Sequence, residues 1–509
     1  MPAGVPLKRA GSIAPLTAFA AIACVVARAP WRVAAGGQAH LALAQELALL
    51  VMAGVLVFVA GRSAFARDRI TGWVLALVLT GVVSSLLSTN RWVALRSLSM
   101  TVGGAVVFLA SRRTRLGAPL LLVPLVVATS VIAEAHGLAP GLSRTGHAPG
   151  GLIGERNAAS ELLVCALPLV AWSGVRAERA RERVFAAIVA GLSVMAIVLT
   201  RTRSAWLATV LTGALGLGLA MRASDEARSR ALPLGLAAIA GASIALLVPN
   251  ALLWSSMHPY RETWTHLVDP NSESGHGRLV QYTSTLRMAL HHPVFGVGPG
   301  NWSGRYLESS PDIGADPSLH GGIFPVLRLP QSDVFGFVAE RGLAGIVPMV
   351  GLVVELARSK SEHRGLRLAT VFAVAIVSTF DAVLQCAPHL FFVAAVLGAA
   401  SPARNEATRV ASRVGGATAF ALAVPAALRL AALAFFVGAH GFADYDRSLA
   451  LDPGDVPRRL QIASDEMAAG RCDEARANLR VAGELATVPA DAVEPSSACA
   501  PTTIATASR

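Results

Sequence analysis

Charge is scarce in this chain. Asp, Glu, Lys and Arg together make up 15% of 509 residues, against 54% apolar ones, and the mean hydropathy is +0.55. So little charge cannot coat a water-soluble fold of this length, which excludes that class and leaves a polytopic membrane protein. Cysteine is also sparse, with five in the chain and no pair at metal-ligand spacing. Cys24, Cys165 and Cys386 fall in or beside apolar segments, as small apolar residues do. Cys472 and Cys499 lie in the tail, where a disulfide between them is open.

What is abundant is apolar sequence in runs. Segments near 12–28, 40–60, 70–88, 96–111, 117–135, 158–175, 184–200, 204–221, 231–249, 334–357, 368–385, 388–401 and 417–438 predict an all-α bundle of about 11–13 spans. The first is followed by Arg28, Pro30 and Arg32 rather than a small-residue cleavage site, and reads as a retained span. The net charge of +12 would suggest a nucleic-acid partner in a soluble chain. Here half of the 44 Lys and Arg sit in alternate short loops, around 8–9, 62–69, 112–115, 176–183, 222–230, 358–367 and 404–413. That asymmetry orients a membrane protein with those loops inside, so the basic surplus reports topology and no nucleic acid is expected.

Orientation gives no reason for cations on the opposite face, so Arg156, Arg201, Arg203 and Arg278 stand out. Arg156 lies in GLIGERNAASELL, where Asn157 is placed to cap the helix that follows. Arg201 and Arg203 share a very short turn in VLTRTRSAWLA, and two guanidiniums so close repel unless an anion lies between them or they snorkel apart. Arg278 belongs to a segment with Tyr282, Thr285 and Ala289 on one side of a helix and Leu279, Leu286 and Leu290 on another, suited to the membrane surface. The Gly- and Pro-rich HHPVFGVGPGNW closes that segment, with His291 and His292 in structural positions. Arginines at a membrane boundary suit a diphosphate, since their planar fork makes charge-assisted hydrogen bonds to it.

The segments GLIGERNAASELLVCALPL, LTRTRSAWLA, GRLVQYTSTLRMALHHPVFGVGPGNW and SDVFGFVAERGLAGIV, in this order, resemble the O-antigen ligase and O-antigen polymerase superfamily of bacterial membrane proteins. Asp381 and His389 sit where that family places a late polar outer loop, and the resemblance covers roughly residues 40–400. It implies a glycan transferase of the bacterial inner membrane, metal-independent and inverting, without a cofactor. The donor it implies is a glycan on undecaprenyl diphosphate, and the acceptor lipid A-core or another lipid-linked repeat unit, met at the periplasmic face among membrane lipid. Carried over by position, Arg203 and Arg278 hold the diphosphate, with Arg201, Arg156, Asn157 and Asp381 assisting in substrate binding. One departure is plain: aligned through Glu340, Gly342 and Gly345, Gln331 stands where the ligases carry a histidine. Glutamine accepts no proton at neutral pH, so Asp333 or His320 is left to help the acceptor hydroxyl, or Gln331 only orients it.

The apolar runs and the composition between them divide the chain into N-terminal transmembrane helices (1–249), a large loop expected in the periplasm (250–333), C-terminal transmembrane helices (334–438), a helical tail (439–490) and an end of disordered composition (491–509). In the tail, LDPGD and GRCDEAR at helix junctions resemble a tetratricopeptide repeat, too short to stand alone, so it is expected to pack on the outer loop or to bind a periplasmic protein. Arg429, inside the last apolar run, is expected to face the bundle. A flippase for the same lipid-linked substrate would bury charge along several spans and show repeated halves, neither of which is seen. A non-catalytic scaffold leaves Arg201, Arg203 and Arg278 without a purpose.

Overall fold

A computed structural model describes residues 38–60, 68–112, 118–139, 148–222, 224–254, 256–266, 273–309, 329–403 and 409–487. The apolar run at 12–28, His320 and Cys499 lie outside them. The described residues form α-helices and short 3-10 turns joined by loops. Among the described residues, eight helices are long and apolar enough to cross a membrane, and three shorter ones are apolar as well.

The first half of the bundle consists of α1 (Gln38–Ala60), α2 (Arg69–Leu86), α3 (Arg91–Ser111), α4 (Leu122–Ala135), α5 (Arg156–Arg176), α6 (Ala180–Thr200), α7 (Arg203–Met221) and α8 (Asp225–Leu247). The segment between the two halves folds into α9 (Pro259–Thr265), α10 (Glu273–His291) and α11 (Trp302–Ser309). The second half is α12 (Asp333–Arg358), α13 (Arg364–Phe380), α14 (Ala387–Ala399) and α15 (Arg409–Val437). The tail adds α16 (Phe442–Leu451), α17 (Val456–Ala468) and α18 (Cys472–Ala486). Two apolar cores hold the bundle. Val127, Leu162, Ile197 and Val377 centre one, and Leu50, Val107, Phe391 and Ala423 the other.

The expected spans that lie within the described residues fall on helices, with one shift of consequence. The run read to 385 ends as a helix at Phe380, because Asp381 turns extended (φ −154°) and its carbonyl accepts from the Asp333 amide at 3.1 Å. A short polar stretch, 381–386, thereby enters the bundle end before α14 begins.

The loops sort to two ends, as the charge pattern requires. At one, Arg112 donates to the Ser401 carbonyl (2.8 Å) and to Asp68 (2.9 Å), Arg367 to the carbonyls of Leu356 (3.0 Å) and Ala400 (2.7 Å), and Arg230 to the Val175 carbonyl (3.3 Å). These are the arginine-rich loops. At the other end meet the start of α5, the turn between α6 and α7, α9 to α11, the start of α12 and 381–386.

α12 is broken at Gly342, whose φ of 57° and ψ of −162° suit glycine alone. A break inside a span leaves backbone groups that lipid cannot satisfy. Here the HPVFGVGPGN loop satisfies them: the amides of Val297 and Gly298 donate to the Ala339 and Glu340 carbonyls (both 2.9 Å), and those of Leu343 and Ala344 to Pro293 and Val294 (2.8 and 2.9 Å). α10 packs Thr285 and Ala289 inward while Leu279, Leu286 and Leu290 stay exposed. Its apolar side faces outward, as a helix at a lipid boundary does.

The tail docks on this end. Asn90 donates to the Gly454 carbonyl (2.9 Å), Leu307 of α11 packs against the α17–α18 core, and Arg429 faces protein, donating to the Trp92 carbonyl (2.9 Å). Cys472 is disulfide-bonded, whereas Cys165 and Cys386 are free thiols.

Candidate active site

The site is assembled from three turns at the loop-rich end. At the first, α5 is capped by Glu155, whose carboxylate accepts from the Ala158 amide at 2.7 Å. Spacing alone points to Asn157 as the cap, and the correction matters. Glutamate three residues before Ala158 caps the helix through that amide, which frees the Asn157 side chain to bridge two loops. Its Nδ2 donates to Asp381 Oδ2 (3.2 Å), and its Oδ1 accepts from Thr202 Oγ1 (3.2 Å). Arg156 beside it is exposed.

The second turn joins α6 to α7. Arg201 adopts a left-handed backbone (φ 55°), uncommon for a residue with a Cβ, and this separates the two guanidiniums that the short spacing would crowd. Arg201 turns to α9, donating to Thr263 Oγ1 (2.8 Å), pairing with Glu262 (3.3 Å) and lying over the Trp254 ring at 4.6 Å. Arg203 donates to the His266 carbonyl (2.7 Å). The counter-ion of Arg201 is thus a carboxylate of α9, in the segment between the two halves of the bundle. Ser204 then reaches inward and donates to Glu161 Oε1 (3.2 Å).

The third part brings α10 against the start of α12 and the 381–386 stretch. The Tyr282 hydroxyl meets the carbonyls of Gln331 (3.1 Å) and Thr379 (2.9 Å), and its ring stacks on Phe335 at 4.7 Å. Arg278, one turn before Tyr282, lowers the pKa of both Tyr282 and Asp381 by its charge. Burial acts against that in each case and prevails, so both titrate above their ordinary values. Asp381 also accepts from the Ala382 amide (2.8 Å). Glu155 is likewise raised, by burial and then by the charge of Asp381, while Arg156 works the other way.

Arg278 Nε and Gln331 Oε1 are among the buried polar atoms without a hydrogen-bond partner at this end, along with Gln281 Oε1 of the same helix as Arg278. An unpartnered donor and an unpartnered acceptor at this end are groups that a bound polar molecule would satisfy.

Asp333 is engaged otherwise. Its carboxylate accepts from Ser378 Oγ (3.0 Å) and the Leu384 amide (2.7 Å), tying the start of α12 to the 381–386 stretch. His389 is not in an outer loop but inside α14, fully buried, with Nε2 on the Ala158 carbonyl at 2.6 Å. The structure therefore gathers Asn157, Arg278, Gln331, Asp333 and Asp381, places Arg156, Arg201 and Arg203 at the adjoining rim, and leaves His320 outside the described residues. Glu161 is the residue that sequence reasoning missed. The signal was present: a glutamate inside an apolar run, four residues after Asn157 and so on the same helical face.

Residues 187–350 match the family model for O-antigen ligase. This segment is similar to an O-antigen ligase domain. It opens in α6 and closes beyond the broken turn of α12, so it contains Arg201, Arg203, Arg278, Gln331, the positive-φ glycines of the GVGPG loop, and Glu340, Gly342 and Gly345. The ligase segment does not include Arg156, Asn157 or Asp381, which reach it from either side through α5 and the 381–386 stretch. No curated protein matches the chain.

Proposed function

We propose that this membrane protein transfers a glycan from undecaprenyl diphosphate to an acceptor hydroxyl, on lipid A-core or another lipid-linked glycan, at the periplasmic face of the bacterial inner membrane. The observation that carries the reading is the open pair, Arg278 Nε and Gln331 Oε1, beside Asp381 in an O-antigen ligase segment. The positive-inside pattern supports placing that end in the periplasm.

The acceptor oxygen attacks the anomeric carbon as the bond from that carbon to the diphosphate oxygen breaks, in one displacement that inverts the centre. The bond's electrons leave with the diphosphate. Arg278 and Arg203 hold the charge that grows there, where cations act most strongly. The attacking hydroxyl donates its hydrogen bond, and then its proton, to Asp381, while Gln331 Oε1 accepts from a neighbouring hydroxyl of the acceptor and orients it. A carboxylate held above its ordinary range is the better base near neutrality. The transfer proceeds without a metal or cofactor.

The test is transfer by purified protein in proteoliposomes, with an undecaprenyl-diphosphate glycan and lipid A-core supplied. Arg278→Ala is expected to lower the rate about 100-fold or more, the scale of losing one preorganised contact to developing charge, and EDTA to leave it unchanged. Product on lipid A-core identifies a ligase, and elongation of the lipid-linked donor a polymerase. Full activity in Arg278→Ala rejects the site.

A further inference from the structure

α6 and α8 run side by side from the arginine-rich end, touching where Gly191 and Gly241 let the backbones meet, since a Cβ on Gly241 would collide with the Gly191 carbonyl. Along their contact lies a groove of about 780 Å³ lined by Ala187, Ile188, Leu192, Ala237 and Ile244. The outward side of α8 carries Leu232, Leu236 and Ile239, all more than half exposed, so this face meets hydrocarbon in a membrane.

The apolar groove ends in charge. Arg183, Ser229 and Arg230 line its mouth. Arg230 is engaged by Glu226 (2.5 Å) and the Val175 carbonyl (3.3 Å), but Arg183 has no ion pair among the described residues, so the mouth carries a surplus positive charge. An acyl-lined channel ending in an uncompensated guanidinium matches one kind of molecule. We infer that the groove between α6 and α8 binds an anionic phospholipid of the bilayer, its phosphate at Arg183 and its acyl chain along Ile188, Leu192 and Ile244.

This site is separate from the one that handles the donor. Arg183 lies in the first turn of α6 (Ala180–Thr200) and Arg201 follows its last residue, a separation of about 27 Å at the α-helical rise. A diphosphate at Arg203 and Arg278 therefore cannot also reach the mouth. The lipid belongs to the opposite leaflet.

The experiment is native mass spectrometry of the full protein released from detergent, titrated with phosphatidylglycerol or phosphatidylcholine of the same acyl chains. The expected result is a one-to-one phosphatidylglycerol adduct, favoured about fivefold over phosphatidylcholine, the effect of one interfacial arginine. Arg183→Gln should abolish the preference and Arg183→Lys restore it. Ala240→Phe, at an exposed position lining the groove, should remove the adduct. Equal binding of both lipids by the unaltered protein, or a preference that survives Arg183→Gln, overturns the assignment. So does displacement of undecaprenyl diphosphate, rather than phosphatidylglycerol, by Ala240→Phe, which would make the groove the donor's tail channel. Should Ala240→Phe fail to fold, the Gln and Lys variants at Arg183 decide the matter alone.

Discussion

Asp381 is held by Asn157 and by the Ala382 amide, yet burial raises its pKa despite both bonds and the nearby charge of Arg278. The direction has two consequences of opposite sign. In catalysis, a base must be ionised, so the acid limb of the transfer rate should fall at a higher pH than an ordinary aspartate, near 3.9, would give. Asp381→Asn should remove that limb and most of the rate. In stability, a carboxyl whose folded pKa lies above its unfolded value favours the fold only while protonated, and that contribution is lost as pH rises through the folded pKa. Asp381→Asn should therefore melt at or above the unaltered protein at neutral pH, with the difference closing below the unfolded value. Parallel pH–rate and pH–melting series read both. A variant that is inactive and also less stable at neutral pH would make Asp381 a structural residue instead.

At the scale of the element, the breaking of α12 is the feature that sequence left hidden. The segment AERGLAGIV reads as continuous helix, because its apolar positions keep helical spacing and isolated glycines are common in spans. Only the partner loop, some 45 residues earlier in the chain, supplies the amides and carbonyls that make a break tolerable. Local pattern sufficed elsewhere. Tyr282 one turn after Arg278, and the three outward leucines of α10, are where helical spacing places them. The capping of α5 was not legible, since Glu155 and Asn157 both suit that turn and Asp381, 224 residues from Asn157, decides between them. Gly342→Ala tests the break. A Cβ there would lie 2.5 Å from the Val294 carbonyl oxygen, in a backbone region restricted to glycine, so a loss of about 2 kcal/mol or more is expected. Gly277→Ala in α10, which meets nothing within 4 Å, should be neutral or slightly stabilising. Thermal melts of the two proteins in one detergent compare them. Equal midpoints would mean that α12 can run straight.

For the molecule as a whole, the tail is an integral part of the loop-rich end and not an appendage. The Gly454 carbonyl receives Asn90 (2.9 Å), the Asn90 amide donates to Asn301 Oδ1 (2.9 Å), and Asn301 belongs to the glycine loop that satisfies the broken α12. Beside this chain of contacts lies a buried charge group. Asp452 is 3.4 Å from Arg458 of α17 and 3.9 Å from Arg429 of α15, with all three residues under a tenth exposed. Removing the carboxylate leaves Arg458 paired with Asp455 at 2.8 Å but strands the Arg429 charge in a dry interface with only the Trp92 carbonyl, which costs more than the ion pair contributes, about 3 kcal/mol. Asp452→Ala should thus lower the melting midpoint clearly, and Arg429→Leu added to it should recover part of the loss, because the unpaired charge nearest Asp452 in the span goes with it. The same pair of variants reads the link to the site. If the tail positions the glycine loop through Asn90 and Asn301, Asp452→Ala lowers transfer activity below what its folded fraction explains, and the double variant recovers activity along with stability. A tail that only thickens the fold would lower stability and leave the activity of the folded fraction unchanged.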